Sequence, residues 1–148
     1  MRGRTLVTGF LVFVALFFAG LVWTQFFAYY KREQDIGALP IMGEDVLVAD
    51  YRGIASASSP LKLRGCLTID PATVARLAPP PAPLATPLNP PFWFRCFDAG
   101  VLTADLAAGT ARAYDIGRDQ PEGFDRMLAV YPDGRAYVWR QLNDRFAD

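Results

Sequence analysis

Two hydrophobic rhythms divide the chain. From Leu6 to Trp23, 18 residues pass without a charge, and Thr8 is the one polar side chain among them. Extended to Phe27, the run reaches 22 residues. At about 1.5 Å per residue, a helix of that length matches a hydrocarbon core of roughly 30 Å. A lone apolar segment in lipid must be helical, because its backbone polar groups find no other partners there. Trp23, Phe26, Phe27, Tyr29 and Tyr30 then gather at one end as an interfacial aromatic belt. A cleaved signal peptide is the alternative. Its apolar region is shorter, about 7–15 residues, and small residues mark its cleavage site. The longer run and the bulky aromatics after it favour an uncleaved anchor over residues 1–32. Gly9 and Gly20 are too far apart to form a small-residue dimerisation face.

After residue 32 the rhythm shortens. Residues 33–45 read as a polar connector punctuated by Gly and Pro, and residues 46–148 as one domain. Val46 to Ala49 predicts a short strand, and Ala55 to Pro60 a Ser-rich turn. Leu61 to Ile69 alternates, with Leu61, Leu63, Leu67 and Ile69 on one face and Lys62, Arg64, Cys66 and Thr68 on the other. Asp70-Pro71 is a helix start, opening a short helix to about Ala78. Phe92 to Phe97 predicts an aromatic strand. Asp98 caps a second helix, which Gly109 ends. Ala111 to Ile116 predicts a strand, and residues 117–123 a charged turn. Met127–Tyr131 and Ala136–Trp139 flank a Pro-Asp-Gly turn and predict a hairpin. The expected fold is α+β: one transmembrane helix, then an antiparallel sheet of four or five strands with two short helices.

Residues 79–91 hold seven of the chain's 12 prolines, which excludes regular helix and central strand. An interdomain linker, a ligand for a proline-recognising groove and a stiff surface loop all fit that composition. The loop is favoured, because neither flank is long enough to be a separate domain. Cys66 and Cys96 lie on either side of it. Two buried thiols are one reading; a structural Cys66–Cys96 disulfide, in an oxidising compartment, is the favoured one. A reactive thiol is disfavoured, since no Cys-x-x-Cys and no activating histidine is present.

Charge refines the picture. Of 15 basic and 15 acidic residues, Arg2, Arg4, Lys31 and Arg32 flank the apolar run. From Glu33 onward 11 basic residues face 15 acidic ones, a net of −4, so the domain lacks the basic footprint of a nucleic-acid binder. The chain has no histidine. That removes histidine-based nucleophilic catalysis, bis-histidine haem ligation and most catalytic zinc sites. No cofactor is expected. Asp98, Asp105 and Asp125, with Glu122 nearby, are the one acidic grouping that invites an acid/base or cation test. Arg126, Arg135 and Arg140 are available to pair with these acids. A capping role for Asp98, solvated acidic faces and structural ion pairs are the favoured explanation.

The run FWFRCFDAGVLTADLAAGTARAY, preceded by SSPLKLRGC and followed by GFDRMLAVYPDGRAYVWRQLN, resembles an uncharacterised family of small alphaproteobacterial membrane proteins. The resemblance covers nearly the whole chain and both cysteines. It implies a single-pass bacterial envelope protein. Some members are labelled histidine kinase, a label that a chain without histidine or a nucleotide-binding motif does not support. The expected setting is the bacterial inner membrane, N-terminus cytoplasmic and domain periplasmic. The expected role is a non-enzymatic accessory or assembly factor, whose partners are the lipid bilayer and other membrane protein subunits. An envelope ligand- or peptide-binding module and a carboxylate-dependent enzyme are the alternatives.

Overall fold

The computed structural model describes residues 2–146. The chain forms two units, residues 1–30 and 31–148. In the first, helix α1 (Gly3–Trp23) continues into a π-helical turn at Thr24–Ala28. The combined helix of 26 residues is long and apolar enough to cross a membrane once. None of the residues of α1 is buried, as expected of a helix that is apolar all round.

The second unit is built on seven antiparallel strands: β1 (Lys31–Glu33), β2 (Ala38–Ile41), β3 (Glu44–Ala55), β4 (Arg64–Ile69), β5 (Arg112–Gly117), β6 (Phe124–Val130) and β7 (Arg135–Leu142). They run in the order β1-β3-β4-β7-β6-β5, with β2 paired to the first part of β3. β2 therefore lies in the segment expected to be a connector (33–45), β1 straddles the boundary between it and the expected anchor (1–32), and the second unit begins at Lys31. Their side chains are polar or interrupted by Pro40, so no alternation betrays them; backbone pairing to the 12-residue β3 defines them. A Met42-Gly43 turn with positive φ at both residues (53° and 82°) joins β2 to β3, the geometry that suits a two-residue hairpin.

Both faces of the sheet are covered. Helix α2 (Pro71–Leu77) and the β2–β3 ribbon cover one, where Ile41, Val74, Leu128 and Val138 pack together. Helix α3 (Ala99–Ala108) and residues 80–97 cover the other, around Trp139, Phe97, Leu102 and Met127. Double coverage explains why Met127 to Val130 reads as an unbroken buried run: successive side chains enter opposite cores. It also corrects the expected polar face of β4, because Arg64 and Cys66 are buried beneath the proline segment. Leu61 and Lys62 fall in a 3-10 turn instead of the strand.

Both helix starts conform to expectation. Asp70 accepts from the Ala72 N–H and Asp98 from the Val101 N–H, while Ala78 and Gly109 close α2 and α3 in the left-handed region. Phe92 to Phe97 is a correction. It forms successive turns, with Phe94 N–H donating to the Pro91 carbonyl at 3.0 Å, and no strand. Its aromatics are dense because they roof a core: Phe97 packs edge-on to Tyr137 and Trp139.

Candidate functional site

The proline segment acts as a strap. Ala82 N–H donates to the Ala113 carbonyl and Asp115 N–H to the Pro80 carbonyl (2.9 and 2.8 Å), closing the outer edge of β5. The Gln141 amide then accepts from Thr86 N–H and donates to the Leu84 carbonyl. Arg64 Nε donates to the Leu88 carbonyl at 2.7 Å, and the same guanidinium donates to the Leu61 and Leu63 carbonyls. The strap ends at Cys96, which is disulfide-bonded to Cys66 with the Cα atoms 6.3 Å apart.

Beside the disulfide, between the strap and the β1–β3 edge, lies a groove of about 560 Å³. Asp50 and Arg52 of β3, Thr68 of β4, and Arg135 and Tyr137 of β7 line it. A smaller hollow of about 200 Å³ adjoins it through Gln34, Arg52 and Cys96, adding Arg32, Trp93 and Arg95. Four arginines thus face one continuous opening against the single carboxylate of Asp50. Arg52 and Arg95 make no hydrogen bond or ion pair with a described residue, and Arg32 stacks over Trp93 at 4.8 Å. Arg135 is held by Asp133 (2.8 Å) and lies over Tyr131, and this pairing raises the guanidinium's pKa. The arrangement offers planar donors and aromatic faces. It suits binding of an acidic ligand better than proton transfer.

Sequence reasoning did not single out Arg32, Arg52 and Arg95. Arg32, next to Lys31, reads as a flank of the apolar run, and Arg95 lies inside an aromatic run; only the sheet and the strap bring them with Arg52 to one opening.

The predicted acidic grouping is not a common site. Asp98 is the α3 cap. Asp105 accepts from the Tyr131 hydroxyl at 2.5 Å, a bond that ties α3 to the hairpin; burial first, then this bond, raises the phenol's pKa. Asp125 accepts from Asp119 N–H and from Asn143 Nδ2, both at 3.1 Å, and Glu122 pairs with Arg145. Among the described residues no group of three His, Cys, Asp or Glu side chains could hold a metal ion. The pairing expected between these acids and Arg126, Arg135 and Arg140 does not form either: Arg135 takes Asp133, and the other two make no ion pair with a described residue. Trp23, Phe26, Phe27, Tyr29 and Tyr30 lie at the C-terminal end of the apolar helix, where Trp23 stacks on Phe27 at 5.4 Å.

No curated protein and no solved structure matches the chain. The profile of a family of unknown function, DUF6446, matches residues 39–148, which takes in β3 to β7, the strap and both cysteines, and the chain belongs to that family.

Proposed function

We propose that this is a non-enzymatic, membrane-anchored accessory or assembly factor, whose domain holds an acidic segment of a membrane protein partner. The arginine-lined groove beside the disulfide carries the reading. Among the described residues Arg32, Arg52 and Arg95 have no carboxylate partner, and Trp93 and Tyr137 add aromatic surface to the lining. Aromatic and arginine anchors of this kind dominate binding energy at protein interfaces. The setting we propose is the inner membrane of an alphaproteobacterium, with the domain in the oxidising periplasm, where a disulfide persists. A ligand- or peptide-sensing module is the second reading, favoured by the groove's volume of about 560 Å³, which lies in the range of small-molecule sites. Against a carboxylate-dependent enzyme stands the separate engagement of Asp98, Asp105 and Asp125.

The test is co-purification. The full-length protein, tagged at its C-terminus, is extracted in a mild detergent, and its companions are identified by mass spectrometry. The expected result is a stoichiometric set of subunits from one complex, depleted roughly tenfold or more in an Arg52→Glu, Arg95→Glu variant. A clean monomer from wild type would overturn the accessory reading, and undiminished capture by the variant would remove the groove from it.

A further inference from the structure

Among the described residues, two buried side-chain polar atoms lack a hydrogen-bond partner: the Nε atoms of Arg126 and Arg140. They belong to one place. Arg126 of β6 and Arg140 of β7 are directly opposed in the sheet, so both side chains leave it on one face. It is the face that carries Leu128 and Val138, two residues along each strand. Like charges directly opposite each other destabilise a sheet, and unpaired buried donors cost more still. Yet neither guanidinium makes an ion pair with a described residue, and Arg126 commits only Nη2, to the Pro40 carbonyl at 2.9 Å.

The Tyr51 phenol lies close to the pair. The Tyr51 ring lies over Gly53 and Gly65, so closely that a Cβ on either glycine would fall within 3 Å of it. Its phenol feels both guanidiniums, and also Glu33 of β1, the acid that faces it. Burial, with Glu33 adding to it, pushes the phenol's pKa up to about 12, so the hydroxyl stays protonated and able to donate. On the other flank Gly117 of β5 pairs with Arg126. A Cβ there would come within 3.6 Å of Arg126 Nε and 3.0 Å of Gln120 Oε1.

We propose that Arg126 and Arg140 clasp a small oxyanion of the phosphate or sulfate class between their Nε edges, with the Tyr51 hydroxyl as a further donor. Each guanidinium edge presents two roughly parallel N–H groups that match two oxygens of such an ion. The ion would neutralise the like-charged pair and satisfy both orphan donors at once. The two arginines lie on the opposite face of the sheet from the groove's disulfide; Tyr51 is the one residue shared with the groove's lining, and the clasp does not depend on the groove binding a partner.

Thermal unfolding of the full-length protein in a neutral detergent tests it, with inorganic phosphate titrated against sodium chloride at matched ionic strength. A saturable rise in Tm with phosphate and with sulfate, absent with chloride, is expected. Arg140→Gln and Arg126→Gln should weaken the phosphate response roughly tenfold or more, while the exposed Arg76→Gln leaves it intact. Should the glutamine variants fail to fold, phosphorus NMR line broadening compares wild type with Arg140→Lys, which keeps the charge but loses the fork. Displacement of phosphate by a short-chain phosphatidate would assign a lipid headgroup as the source; no displacement would assign the free ion. No phosphate response beyond that of chloride, or equal affinity in Arg140→Lys, would overturn the site and leave buried water or a swung Glu33 as the missing partner.

Discussion

Asp119 gathers the C-terminal turn onto the end of the hairpin. Its Oδ1 accepts from Gly123 N–H at 3.1 Å and from Asn143 Nδ2 at 2.6 Å, and Oδ2 lies 3.3 Å from Arg145 Nε. The Gly123 and Asn143 donors favour the ionised form and hold its pKa below the ordinary 3.8. A depressed carboxylate stabilises the fold above its unfolded value, and that contribution is lost as pH falls through the folded one. Asp115 works in the opposite sense. Burial, then the Asp125 charge, raises its pKa, so its ionised form costs stability that protonation restores. Wild type should therefore lose stability as pH falls below about 4, and Asp119→Asn should lose less over the same interval. Denaturant midpoints measured from pH 6 to pH 3 would show the two curves converging; parallel curves would mean Asp119 is not titrating against this network. Little of this was legible in the sequence. The Asp98 cap was, because its bond to Val101 spans three residues. Asp119, Asp125 and Asn143 meet only through the β6–β7 register, which sets Asp125 opposite Gln141.

At the scale of elements, the strap converts a two-faced sheet into a closed domain. It has little regular structure of its own, so the Cys66–Cys96 bond and a few hydrogen bonds hold it across the Trp139 side of the core. The disulfide spans 30 residues, and closing a loop of that length stabilises by about 3–4 kcal/mol in the chain-entropy model. Cys96→Ala, or reduction of the wild type, should cost that much in denaturant unfolding, and reduction should leave Cys96→Ala unchanged. A loss under about 1 kcal/mol would mean that the hydrogen bonds alone fix the strap. The sequence revealed elements whose signals are local: the β6–β7 hairpin from its Pro-Asp-Gly turn, and α2 and α3 from their caps. It hid those defined by distant partners. β1 is polar throughout and β2 is only four residues with Pro40 inside it, so pairing to β3 is what defines them. Phe92 to Phe97 imitates a strand because aromatic residues suit both a strand and a roof over a core. Prolines at 90 and 91 immediately before it decide for turns. The groove was hidden for the same reason as β1: strand and strap supply its arginines from sites far apart in sequence.

The whole molecule joins a helix with no buried residue to a domain that encloses its own two cores. Both clusters, the disulfide and every strand fall within residues 31–146. A domain of this size buries enough surface to fold alone, roughly 60–70% of what its unfolded chain exposes. Residues 1–30 should therefore contribute location and not stability. A variant beginning at Lys31 and secreted to an oxidising compartment should be soluble and monomeric, with the disulfide formed. Its Tm should lie within a few degrees of the full-length protein in detergent, since both core clusters and the disulfide lie within residues 31–146. Aggregation, or an unfolding transition without cooperativity, would show that the helix completes the domain. The same variant separates two parts of the functional reading. Its oxyanion response should match that of the full chain, because Tyr51, Arg126 and Arg140 are all retained. Capture of membrane subunits should weaken even though the groove is intact. Anchoring confines groove and partner to one surface and raises their effective concentration, and release into solution forfeits that gain.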